Sequence, residues 1–139
     1  MSIFDEPDPS GPRETILRLL AGKWIVAAMN AAVRLGIPEA LATESATVEV
    51  LAERLDCAAD SLERLLRVLV SEGLLDTDND DAFVLTDKGR ELRRDSLGPL
   101  VAYIGSPAQW NPWAHLDYSV RTGRPAFDHP RREPLRLRR

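Results

Sequence analysis

A mainly α-helical fold, with a winged helix-turn-helix core, a small β-hairpin wing and extra helices at both ends, is what this sequence predicts. Three observations carry the prediction. Residues 47–89 run in the order short periodic stretch, turn, longer periodic stretch, and then a pair of short strand-like segments around "DNDD". On either side, apolar residues recur at helical spacing. Proline and glycine fall where helices start and stop.

The elements follow in order. Residues 1–12 hold three prolines and three acids and read as a flexible lead-in. A helix begins at Glu14, with Ile16, Leu17, Leu19 and Leu20 apolar, and is expected to bend or break near Gly22. The next stretch, "KWIVAAMNAAVRLG", is apolar on more than one side through Trp24, Ile25, Val26, Ala28, Met29, Ala32, Val33 and Leu35. A helix so covered needs neighbours nearly all round, either as the central helix of its own domain or against a partner subunit. Gly36 is placed as a left-handed cap, and Pro38 starts a short helix. Thr47 caps "TVEVLAERL", and the turn "DCAA" leads into "DSLERLLRVLVSEG". There Leu62, Leu65, Leu66, Leu69 and Val70 share one face, and Gly73 closes the helix. "LLDT" and "AFVLT" form the hairpin. Thr86 caps a helix over "DKGRELRRDS", and Pro99 opens another. A last amphipathic helix carries Trp110, Trp113, Leu116 and Val120, and "RTGRP" is a turn. The domain is expected to cover residues 13–129, with a disordered arginine- and proline-rich tail over 130–139.

Charge narrows the function. The 139 residues carry a formal net charge of -4, but the last nine hold five arginines and one glutamate, which leaves a body at -8. Such a body repels polyanions. The wing tip "DTDNDD" packs four carboxylates into six residues, and Asp60, Glu63 and Glu72 accompany Arg64 and Arg67 on the longer helix. Bringing these near phosphates costs about 1 kcal/mol for each close like-charge pair. Nucleic acid is therefore not the expected partner. A DNA-binding transcription regulator, supported by Arg90, Arg93, Arg94 and the tail, is the alternative.

Other chemistry finds little support. One cysteine, Cys57, precludes a disulfide within the chain and fits a reducing compartment. It lies between Asp56 and Asp60, surroundings that work against a nucleophile, and reads as a structural residue. His115 and His129 have no ligand-spaced Cys or carboxylate, so no metal site is expected. "DTDNDD" lacks the glycine and distal glutamate of a calcium loop. No two of the eight glycines form G-x-G, so no glycine cradle for a nucleotide-like cofactor is present. Tyr103, Trp110, Trp113 and Leu116, with Tyr118 nearby, would line an aromatic ligand pocket or anchor an interface. The acidic N-terminus does not read as a secretory signal, and no apolar run approaches the ~20 residues of a membrane helix.

The segments "AAVRLGIPEAL", "TVEVLAERL", "LERLLRVLVSEGLL", "FVLTDKGREL" and "WNPWAHLDYSVRTGRPAFDH" occur in this order and spacing in one family. From about Leu17 to His129 the chain resembles the N-terminal dimerisation region of SAM-dependent small-molecule O-methyltransferases of the plant and actinobacterial, hydroxyneurosporene-like type. Ala58 departs from the pattern, standing where that family usually has a capping Asp, at a cost of about 1 kcal/mol unless Asp60 offsets it.

The resemblance implies a homodimer whose N- and C-terminal helices interlock with those of a second copy, in a cytoplasmic protein of secondary metabolism. It assigns the interface to Leu17, Leu20, Trp24, Ile25, Ala28, Met29 and Ala32. It places the S-adenosylmethionine site and the catalytic base in a further domain. The chain is therefore expected to have no methyl transfer activity, cofactor or catalytic residue of its own, and to be a truncated, frame-shifted or stand-alone form. "PRREPLRLRR" resembles high-GC coding sequence read in another frame. A second alternative is an accessory subunit that completes the pocket of a full-length methyltransferase for a small aromatic or polyketide-like ligand.

Overall fold

The computed structural model describes residues 11–128. The lead-in before Gly11, His129 and the tail over 130–139 lie outside the described residues.

Helix α1 spans Pro12–Leu35 without interruption, so the bend expected at Gly22 does not occur. One glycine costs about 1 kcal/mol in a helix interior, and the Leu- and Ala-rich flanks offset it. Pro12 opens the helix, and Gly36 at φ 81° closes it, its N–H bonding the carbonyls of Ala32 and Val33. With both segments fused, α1 has 24 residues, and an 18-residue window within it has a mean hydropathy of 1.5. Contrary to expectation, it is one helix long and apolar enough, by length and composition, to cross a membrane.

Helix α2 is the short Ile37–Ala40 with Ile37 and Pro38 buried. Helix α3 is Val48–Leu55 and α4 is Ala59–Ser71. Thr47 stands at the N-cap of α3, yet its side chain makes no capping bond to the helix. Its hydroxyl instead binds the carboxylate of Glu49. Helix α3 ends at Asp56 in the left-handed conformation, with Cys57 N bonding Ala52 O at 2.9 Å. Gly73 closes α4 in the same way, at φ 69° and with Leu74 N on Leu69 O at 2.9 Å.

Strands β1 (Leu75–Thr77) and β2 (Phe83–Leu85) pair antiparallel, Leu75 opposite Leu85 and Thr77 opposite Phe83. At the wing tip Asp78 Oδ1 accepts from the backbone N–H groups of Asp80 and Ala82, both at 3.0 Å. The wing has a third contributor that the sequence reading missed: Ala46 exchanges both backbone bonds with Phe83 at 3.2 and 2.9 Å. A single bridging residue leaves no alternation to read.

The expected helix over "DKGRELRRDS" shrinks to α5, Asp87–Arg90. Thr86 caps it as expected, accepting from Gly89 N at 3.1 Å and donating to the carbonyls of Gly73 and Leu74. Beyond Arg90 the chain drops into tighter turns and doubles back, with Gly98 N on Arg93 O at 3.0 Å. Gly98 permits that return, because a Cβ there would stand 2.6 Å from Arg93 O. Helix α6 follows at Gly98–Ile104.

The core gathers Ala32 of α1, Ile37 of α2, Leu51 and Ala52 of α3, Leu62, Leu66 and Leu69 of α4, and Leu75, Phe83 and Leu85 of the wing. Leu65 and Val70, read onto the same face of α4, pack partly buried against it. One buried polar side chain accompanies this core among the described residues. Asn30 donates from Nδ2 to Val101 O (3.1 Å) and Ala102 O (3.3 Å), in the last turns of α6.

The chain divides into two compact units, the first reaching Ala102 and the second starting at Tyr103. The second holds α7 (Pro107–Trp113), α8 (Leu116–Thr122) and a 3-10 turn at Ala126–Asp128. The single helix expected to hold Trp110 through Val120 is therefore two. Pro112 lies inside α7, and Ala114 N on Asn111 O and His115 N on Pro112 O tighten its end. The "RTGRP" turn is as expected, with Gly123 capping α8 at φ 67°.

Candidate self-association surface

Burial sorts the seven expected interface residues by their position along α1, rising from its N-terminal half to its C-terminal half. Leu17, Leu20 and Trp24 lie on one outward stripe, and Trp24 is 66% exposed. Leu35 extends the stripe, and exposed Ile16 and Leu19 lie beside its N-terminal half. The sequence reading left these three out of the interface, although the i, i+3, i+7 pattern reaches Leu35. Ile25 and Met29 are half-buried, and Ala28 packs against the core. Ala32 is fully buried in the chain's own core. It is corrected here from an interface residue to a core residue, because it shares the face that meets α4.

Further exposed apolar side chains lie toward the other end of the chain, in each unit separately. Leu97 and Leu100 are exposed in the first unit. Tyr103, Ile104, Trp113, Leu116 and Val120 are exposed in the second. Trp110 is half-buried, and Gln109 Nε2 donates to Tyr103 Oη at 2.5 Å. Of the four residues expected to line an aromatic pocket or anchor an interface, Tyr103, Trp113 and Leu116 are exposed and Trp110 is half-buried. Monomeric proteins rarely expose contiguous apolar patches beyond a few hundred square ångströms.

An open trough of about 700 Å³ lies instead between the start of α3, the outer face of α4 and the wing. Val48, Val70 and Phe83 contribute its apolar side. Glu49, Glu63, Asp80 and Asp81 contribute its carboxylates, and Arg67 is held by Glu63 at 2.6 Å. Hydrogen bonds from its own backbone N–H and from Thr47 hold Glu49 below the usual carboxylate range.

Two side chains of the basic segment that supports DNA binding meet the protein itself: Arg90 reaches Ala42 O at 3.5 Å and Arg93 Nε lies 3.8 Å from Asp95, while Arg94 binds Glu39 Oε1 at 2.8 Å through its backbone N–H. Cys57 is half-buried and its thiol donates to Leu55 O at 3.4 Å. No group of three or more metal-ligating side chains forms among the described residues. Nor do the glycines fit a methyl-donor cradle. Gly89 and Gly98 press on the chain's own carbonyls, where a Cβ would stand 1.9 Å from Leu74 O and 2.6 Å from Arg93 O. The other glycines stand apart along the sequence.

Comparison with known proteins gives this surface its context. The family model of the O-methyltransferase dimerisation domain matches residues 17–94. The mitomycin biosynthesis 6-O-methyltransferase of Streptomyces lavendulae is 35% identical over 119 residues, covering 83% of this chain and 34% of that protein. The O-demethylpuromycin-O-methyltransferase of Streptomyces alboniger is 36% identical over 120 residues, covering 85% of this chain and 32% of that protein. The solved mitomycin 7-O-methyltransferase MmcR superposes with a TM-score of 0.77 at 35% identity, over 84% of this chain and 35% of that one. The chain spans about a third of the length of the curated relatives it matches. Its mainly α architecture with a two-stranded wing is theirs over the matched region. The chain belongs to the O-methyltransferase dimerisation-domain family.

Proposed function

We propose that this chain forms a homodimer through the outward stripe of α1, completed by the apolar surfaces of the C-terminal helices. The observation that carries the reading is Trp24. It is a large aromatic 66% exposed on a helix whose C-terminal half is already packed into the core through Ala28 and Ala32. A second copy would remove this surface from water at ~25 cal/mol per Å². The same need explains the hydropathy of α1 without a membrane, since the helix also packs against α2 and α4. A cytoplasmic location accords with this reading. The chain as it stands pairs subunits and carries out no methyl transfer, because the glycines it has do not form a donor site.

The homology also favours one variation. The same stripe would accept the equivalent helix of a full-length relative, whose further domain would supply the donor site and a small aromatic substrate. Sedimentation equilibrium tests the central claim. The parent chain should be dimeric at micromolar concentration, and Trp24→Glu should raise the dissociation constant at least about thirtyfold. A monomeric parent chain overturns the reading. A parent that recovers only in complex with a full-length methyltransferase moves it to the mixed pair.

A further inference from the structure

Helix α1 is anchored over only part of its length. Asn30 and Ala32 are its buried residues, and Ala28 and Ala32 are the ones that join the core. Asn30 adds its two bonds to α6. All three lie in the last third of the helix. Over residues 12–24 no side chain is buried, and Ile16, Leu17, Leu19, Leu20 and Trp24 are exposed. The N-terminal end has no capping side chain, because Gly11 stands at the N-cap. Gly22 sits where this arm meets the anchored part, with nothing within 4 Å of an added Cβ.

Such an arm has little to hold it in a helix by itself. Fixing each residue costs backbone entropy, and in proteins the burial of an apolar face is what mainly offsets that cost. Helices of about a dozen residues are marginal in water without such packing. Gly22 weakens the helix at the junction by about fivefold relative to alanine. The anchored part still supplies a nucleus, so the arm can regrow residue by residue once its apolar side is covered.

We infer that the arm, residues 12–23, folds and pairs in one step. In the lone chain it frays back to Gly22, and it completes the continuous helix α1 when a second copy covers Leu17, Leu20 and Trp24. This step rests on pairing through α1 and adds what regulates it: the helix propensity of the arm, above all at Gly22, sets the affinity. A lone copy then presents no rigid apolar ridge to other proteins.

Hydrogen exchange of the full chain tests the fraying, in the parent diluted below its dissociation constant and in Trp24→Glu. Amides 16–23 should exchange at the rate of an unfolded chain in both, while amides 25–35 stay protected. Above the dissociation constant, the arm of the parent should gain protection of about tenfold or more. Gly22→Ala, read by sedimentation equilibrium, should lower the dissociation constant at least about fivefold, since each dimer orders two arms. The added methyl group would point away from the partner, because position 22 stands roughly 160° round the axis from Trp24. An arm equally protected at every dilution, in a chain that does dimerise, overturns the inference and leaves pairing intact. So does a Gly22→Ala constant that fails to fall, since a helix present in both states would gain equally in both. A chain that is monomeric throughout overturns the inference and the pairing together.

Discussion

Single side chains fix the wing and the join between helices. Asp78 accepts two backbone N–H groups across the turn, and these bonds hold its carboxyl below the usual range. A carboxyl with a lowered pKa when folded contributes stability that is present above its unfolded value and is lost as pH falls through the folded one. Acid should therefore loosen the hairpin first. Between about pH 5 and pH 2, amide protection in Leu75–Leu85, taken relative to the intrinsic exchange rate at each pH, should fall in the parent. Asp78→Asn, whose amide oxygen still accepts but does not titrate, should flatten that dependence. Asn30 acts differently. Its amide meets carbonyls near the end of α6, so α1 supplies bonds that α6 cannot make for itself. Nothing in the sequence singles Asn30 out, because its partners lie 71 and 72 residues away. Gly89 was equally silent, since only the fold brings Leu74 O to within 1.9 Å of where its Cβ would be.

At the scale of elements, pattern was readable where periodicity was strong and failed where one residue decided. Helices α3 and α4, the hairpin, the caps at Gly36 and Gly73 and the turn through Gly123 stand where spacing put them. Gly22 misled, because a local cost of about 1 kcal/mol was weighed without the cooperative gain of a continuous helix. Open space surrounds the position, with nothing within 4 Å of an added Cβ. Gly22→Ala should thus stabilise the protein by about 0.5–1 kcal/mol and raise its melting temperature by a few degrees, read by calorimetry. Pro112 misled the other way. Its place near a helix start looked tolerable, yet α7 ends at Trp113, one residue beyond it. The interface was legible as a set of apolar residues but not as a face. Assigning Ala32 to the core required knowing which side of α1 meets α4.

For the whole molecule, α1 serves two masters: its C-terminal half completes the core through Ala28 and Ala32, and its N-terminal half leaves Leu17, Leu20 and Trp24 in water. A partner that binds only the folded form adds its binding free energy to stability by mass action. The melting temperature should therefore climb with protein concentration in the parent and hold level in Trp24→Glu, as differential scanning fluorimetry across a hundredfold range would read. Thinning the solution then does what urea does, by taking away the company each folded copy keeps. In a cell, the abundance of such a chain would set its own lifetime, with scarce copies exposed to proteases and plentiful ones sheltering each other.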